Sequence, residues 1–196
     1  SNFLKESCVA LEDDSNTYTI PQAIAKMKAR RVYVMIGSND VDGSVSVDEF
    51  TGDYKQALQN IKNSYSYCDI IACAIPPVSQ ESENAAEKQT IIDQFNQAIA
   101  VACNDMGYKY LNTAEVLKDS KGYAESSYLD ESSGTWNAAG ASAFLEYVKS
   151  HAYNTDDTRP DTNDIPKRAA QASGDAEKAT PTPSATPTTL TASYTV

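Results

Sequence analysis

The residues with the clearest chemical potential are Gly37-Ser38-Asn39-Asp40, which follow directly on the apolar run Val32 to Ile36 (VYVMI). A polar corner at the carboxyl end of a buried parallel strand is where open α/β sheets bind ligands. The plainer reading is that Asn39 and Asp40 cap the turn, since both tolerate unusual dihedrals and accept backbone hydrogen bonds. Thr135-Trp136-Asn137 is a second such stretch. Trp136 either stacks on a sugar ring or locks the last helix onto the sheet. Tyr65, Tyr67, Tyr123 and Tyr128 make a carbohydrate surface if they cluster. The acidic side chains Asp40, Asp42, Asp48 and Glu49 attract a cation or form a solvated face. Metal chemistry finds little support. His151 is the only histidine, and Cys8, Cys68, Cys73 and Cys103 contain no C-x-x-C pair, so no zinc site and no cofactor are expected. Cys68 and Cys73 cannot pair across a strand, which would hold them about 16 Å apart when a disulfide needs about 7 Å. Cys73 and Cys103 read as small buried apolar residues.

The elements that must position these groups alternate. Thr19 to Ala29 is predicted helical, with Pro21 in the first turn and Ile20, Ile24 and Met27 on one face. Val32 to Ile36 is a buried strand. Val47 to Asn63 is an amphipathic helix carrying Val47, Phe50, Tyr54, Leu58 and Ile61 inward. Asp69 to Ile75 is a second buried strand, stopped by Pro76-Pro77. Ala85 to Met106 is a long helix ended by Gly107, Tyr108 to Leu111 a third strand, and Asn137 to Ser150 a last helix. This alternation predicts an α/β fold with a doubly wound parallel sheet. Its ligand loops are then Gly37–Gly43, Pro76–Gln80 and the loop before the last helix.

The composition changes near residue 152. Residues 1–151 form the expected domain. Residues 152–196 read as a linker or tail, with ATPTPSATPTT at residues 179–189. Alternating Pro and Thr makes a semi-stiff extended spacer. Such spacers suggest an extracellular or cell-surface, bacterial setting. Leu190 to Val196 regains strand-like alternation. The chain has 196 residues and a formal charge of −11, which argues against nucleic-acid partners. No apolar run approaches the roughly 20 residues of a membrane span. No basic and apolar leader opens the sequence, so a secretion signal, if there is one, is expected upstream of Ser1.

Several blocks occur in a set order: Gly37-Ser38-Asn39-Asp40 after a strand, Ile75-Pro76-Pro77-Val78 ending the next, Phe95-Asn96 and Ala98 in the long helix, Tyr110-Leu111-Asn112, and Trp136-Asn137-Ala138-Ala139-Gly140 opening the last helix. This series resembles the SGNH (GDSL-type) hydrolases from about Ile20 to His151. The resemblance implies a three-layer α/β/α sandwich with a flavodoxin-like parallel sheet. It implies hydrolysis of acyl esters, including O-acetyl esters, on carbohydrate or cell-envelope material. In that family a first-block serine attacks the carbonyl, a fifth-block histidine takes its proton, and an aspartate orients the histidine. A third-block asparagine donates to the oxyanion, a role that falls on Asn39 with Gly37 beside it. Asp40, Thr135 and Trp136 are the expected substrate-binding residues. The pattern also departs from the family. No Gly-Asp-Ser precedes Val32 and no G-x-S-x-G elbow occurs. Thr135 stands at the histidine position and Ser132 at the aspartate position, with Asp130 nearby. His151 lies about a dozen helical residues further on, roughly 18–20 Å away. Two readings follow: an esterase lacking its nucleophile block, or a non-catalytic binding or structural module of the same fold. Either leaves the strand 32–36 with an open edge, which predicts self-association or recruitment of another segment, a missing N-terminal one or Leu190–Val196.

Overall fold

The computed structural model describes residues 5–130, 132–151 and 153–169. Three parallel strands, β3 (Arg31–Val34), β4 (Asp69–Cys73) and β5 (Lys109–Leu111), form one sheet in the order β3-β4-β5. Val32 pairs with Ile70 and Val34 with Ala72; on the other side Ile71 pairs with Lys109 and Cys73 with Leu111. Each of the two predicted longer strands ends earlier than its apolar run. The backbone leaves the ladder after Val34 and after Cys73 to form the loops that carry the polar corners. The central strand still has the burial of a parallel sheet interior, with Ile70 to Ile75 no more than 2% exposed.

Before the sheet lies a small antiparallel pair, β1 (Val9–Ala10) with β2 (Thr17–Tyr18). Neither strand is followed by Gly-Asp-Ser, and two residues per strand leave no alternation to read in the sequence. The helices are α1 (Ile20–Lys26), α2 (Val47–Ser64), α3 (Ala85–Met106) and α4 (Ala138–Ser150). Thr19 and Gln22 form a reciprocal capping box on α1, with Pro21 in its first turn. Ser46 caps α2 through the amide of Glu49. Gly107, at φ 70°, closes α3 in the left-handed conformation. Asn137 caps α4 by accepting from the amides of Ala139 and Gly140.

The core joins α1, α2 and α3 to the sheet through Ile24, Phe50, Leu58, Ile61, Val34, Ile70, Ala72, Phe95 and Ile99. Phe50 and Phe95 stack face to face, with ring centroids 3.9 Å apart. α4 packs on two single-turn helices, Glu115–Leu117 and Ser126–Tyr128. Cys68, Cys73 and Cys103 are buried free thiols, and Cys8 is exposed and free.

Ordered contacts continue past residue 151. The segment 153–169 runs along the amino-terminal ends of the strands. Arg31 Nη2 donates to the carbonyl of Tyr153 at 2.6 Å and Arg30 Nη2 to that of Thr155 at 2.5 Å. Thr155 bonds the carboxylate of Asp69. Arg159, paired with Asp157 at 2.6 Å, donates to the carbonyl of Lys28. Leu11 then bridges Arg168, and the amide of Ala169 reaches the carbonyl of Ala10. The Pro/Thr run and Leu190–Val196 lie outside the described residues. No helix among those described is long and apolar enough to cross a membrane.

Candidate functional site

Gly37 makes the turn out of β3 possible. Its φ of +117° is a backbone conformation that side chains disfavour. A Cβ there would stand 2.7 Å from Ile75 Cδ1 and 2.9 Å from Phe50 Cε2. The chain then winds into one 3₁₀ turn, Ser38–Asp40, closed by the Asp40 amide on the Gly37 carbonyl at 3.0 Å. Asn39 is exposed on this turn, and its side-chain amide has no partner among the described residues.

The turn forms one wall of a hollow of about 630 Å3. The facing wall is α2, which presents Glu49, Phe50, Asp53 and Tyr54. The floor is therefore aromatic, and Asp40, Glu49 and Asp53 make the rim negative. Such a rim repels anionic ligands. Tyr54 is 2% exposed, and its hydroxyl has no hydrogen-bond partner. Burial, with the thiols of Cys73 and Cys103 near it, pushes that hydroxyl well above its ordinary pKa. Burial pushes both thiols up to about 11, so they stay protonated at neutral pH and are poor nucleophiles.

Gly37, Asn39 and Asp40 thus share one hollow, whereas Trp136 lies in another. That second hollow, of about 350 Å3, is bounded by Pro77–Ser82 and by Leu129, Ser133, Gly134 and Trp136. Thr135 lines neither; its hydroxyl meets Ser133 Oγ at 2.7 Å. The loop that presents Trp136 is organised by Asp130, whose carboxylate accepts from the amides and hydroxyls of both Ser132 and Ser133. Those bonds, the Ser132 hydroxyl first, hold the Asp130 carboxyl down at about 2. His151 stands at the end of α4, stacked on Tyr147 at 3.9 Å. Its Nδ1 lies 3.0 Å from Ser150 Oγ, but that hydroxyl donates to the Glu146 and Tyr147 carbonyls of the last helical turn. Neither residue lines either hollow.

Two polar residues of α3 hold the loop between the hollows. Asn96 accepts from the Ile75 amide at 2.7 Å and donates to the Ile75 carbonyl at 3.0 Å. Gln89 accepts from the amide of Val78 at 3.1 Å. Sequence reasoning gave neither a role, although a polar residue on the buried side of an amphipathic helix is a signal of such a clamp.

The model of the GDSL-like lipase/acylhydrolase family matches residues 13–143. The chain belongs to this family. A comparison with curated proteins returned no match. Among solved structures, the GDSL-like chain is similar to a protein from Streptococcus pneumonia provisionally described as a platelet activating factor, at 22% identity and a TM-score of 0.55, covering 63% of this chain and 59% of that one. It is similar to the OSK domain of Drosophila Oskar, at 19% identity and a TM-score of 0.51, covering 63% and 62%. It is also similar to a GDSL-like lipase from Bacteroides thetaiotaomicron, at 14% identity and a TM-score of 0.52, covering 62% and 60%. The GDSL-like chain therefore spans about three fifths of the length of each of these proteins. At such identities the likeness concerns the fold.

Proposed function

We propose that this GDSL-like chain holds acyl esters, O-acetyl esters of carbohydrate or cell-envelope material among them, without hydrolysing them by a serine–histidine pair of its own. The arrangement that goes with this reading is the three-layer sandwich of the family, in a secreted, bacterial-surface setting that the Pro/Thr run favours. One observation carries the reading. Asn39, whose side-chain amide has no partner among the described residues, lines a hollow with no histidine in its lining, while the only histidine caps the far end of α4. An amide donor aimed into a partly enclosed space can polarise an ester carbonyl, and it stabilises an oxyanion only once something attacks. A serine hydroxyl such as Ser38 is a weak nucleophile without a base to take its proton. The negative rim selects neutral esters.

The competing reading is an active esterase, which the family membership and the retained Gly-Ser-Asn-Asp corner favour. Turnover of p-nitrophenyl acetate separates the two. The full chain is expected to match Asn39→Ala within about twofold, both near the uncatalysed rate. Turnover by the wild type that falls about 10²-fold in Asn39→Ala, the usual cost of losing one oxyanion donor, would establish the esterase instead.

A further inference from the structure

We propose that the second hollow, between Pro77–Ser82 and the loop ending at Trp136, is a binding subsite for neutral saccharides, with Trp136 as its stacking platform. It stands on the geometry of this hollow and not on the ester reading, because Asn39 is no part of it.

A sugar ring presents an apolar C–H face and a rim of hydroxyls, so its recognition needs a flat apolar surface beside hydrogen-bonding groups. The hollow supplies both. Its apolar surfaces are Trp136 and Leu129 on one side and Pro77 and Val78 on the other; its polar residues with hydrogen-bonding capacity to spare are Ser79, Ser82 and Glu81. Glu81 is exposed, and its side chain has no partner among the described residues. An ionised carboxylate with both oxygens free accepts from adjacent hydroxyls in charge-assisted bonds. At about 350 Å3 the volume lies at the small end of ligand pockets, suited to a ring or two.

The platform is held in place before any ligand arrives. Trp136 is half-buried, and it bridges Leu129 across the loop. Its Cε3 lies so close to the bare backbone of Gly140 that a Cβ there would stand 2.8 Å away. The next residue, Asn137, donates to the carbonyls of Ser127 and Leu129 at 2.9 and 3.1 Å. The facing wall is fixed by Gln89 on the Val78 amide and by the Ala124 amide on the Val78 carbonyl at 2.9 Å. A side chain already ordered loses little entropy on binding, which favours affinity for a weakly held ligand such as a sugar. Glu81, on a chain of net charge −11, excludes acidic sugars.

Because Trp136 is the only tryptophan, emission excited beyond the absorption of the twelve tyrosines comes from this side chain of the hollow. Titration with xylotriose and with cellotriose is expected to shift or quench its emission saturably in the millimolar range with at least one of the two. Trigalacturonic acid should leave the emission unchanged. Glu81→Gln, an exposed substitution that spares the fold, should weaken the saccharide response about tenfold, while Asn39→Ala keeps it. Calorimetry on Trp136→Ala should show saccharide heat lost in a protein whose circular dichroism is retained. No emission change with either neutral sugar up to tens of millimolar overturns the proposal. So does an equal response to the acidic trisaccharide, or an undiminished one in Glu81→Gln.

Discussion

Gly37 and Asp130 shape their loops through opposite means, one by lacking a side chain and the other by bonding with it. Gly37→Ala places a methyl group against Ile75 and Phe50 in a backbone conformation that alanine resists. Strain and overpacking together should cost about 2 kcal/mol or more, read as a lower urea midpoint with an unchanged slope. Asp130 makes a pH prediction. Its folded pKa, about 2, lies below the ordinary aspartate value of about 4, so its contribution is complete above pH 4 and is lost as pH falls towards 2. Trp136 emission should therefore change between about pH 4 and 2, and Asp130→Asn, which keeps an acceptor but does not titrate, should remove that step. A step of equal size in Asp130→Asn would assign it to other carboxylates. The corner at Asn39 was legible in the sequence because a polar tetrapeptide ends an apolar run. The role of Asp130 was not, since it was weighed only as a partner for a histidine. Its serine neighbours at two and three residues are the signature of a turn held by a carboxylate.

Among the elements, long periodic helices were the most legible. α3 spans Ala85–Met106 as its apolar spacing predicts, and α2 differs by one residue at its end. The two longer strands were read two residues too long at their carboxyl ends, while the third ends at Leu111 as read; after β4, burial continues through Ile75 although pairing stops at Cys73. Hydropathy reports burial, and here the loop after β4 is as buried as the strand. What keeps that loop buried is Asn96 of α3, which answers both backbone groups of Ile75. Asn96→Ala would leave an amide and a carbonyl unsatisfied beside a fully buried side chain. A loss of about 2–4 kcal/mol in urea unfolding is expected, comparable to deleting a large core side chain. A loss under about 0.5 kcal/mol would show that the Ile75 backbone is hydrated instead. The segment 153–169 was hidden for a different reason. Its contacts are hydrogen bonds from Arg30, Arg31 and Arg159 to carbonyls, and these leave no apolar periodicity in the sequence.

At the scale of the whole molecule the three-stranded sheet has an open outer edge at β3 and another at β5 among the described residues. Among the described residues no strand pairs with the outer edge of β3, and Tyr33 in that strand and Met35 just after it remain 37% and 43% exposed. A parallel strand normally has both neighbours and both faces covered, and an exposed apolar edge is a template for another chain. Two forces then compete. Apolar burial along this edge favours association, at about 25 cal/mol per Å2 removed from water, while a net charge of −11 opposes it over a screening distance of about 10 Å at 0.1 M salt. The balance predicts that the chain associates in solution and that added salt strengthens the association, opposite to the response of an interface held by ion pairs. Light scattering coupled to size exclusion should show a mass above that of the 21.2 kDa monomer, rising with protein concentration and between low and 0.5 M salt. Met35→Lys puts a charge on the edge, where strands of natural sheets carry one to prevent pairing, and should return the chain to a monomer without lowering its urea midpoint. A wild-type monomer at every salt concentration would mean that the β3 edge is already covered within the same chain.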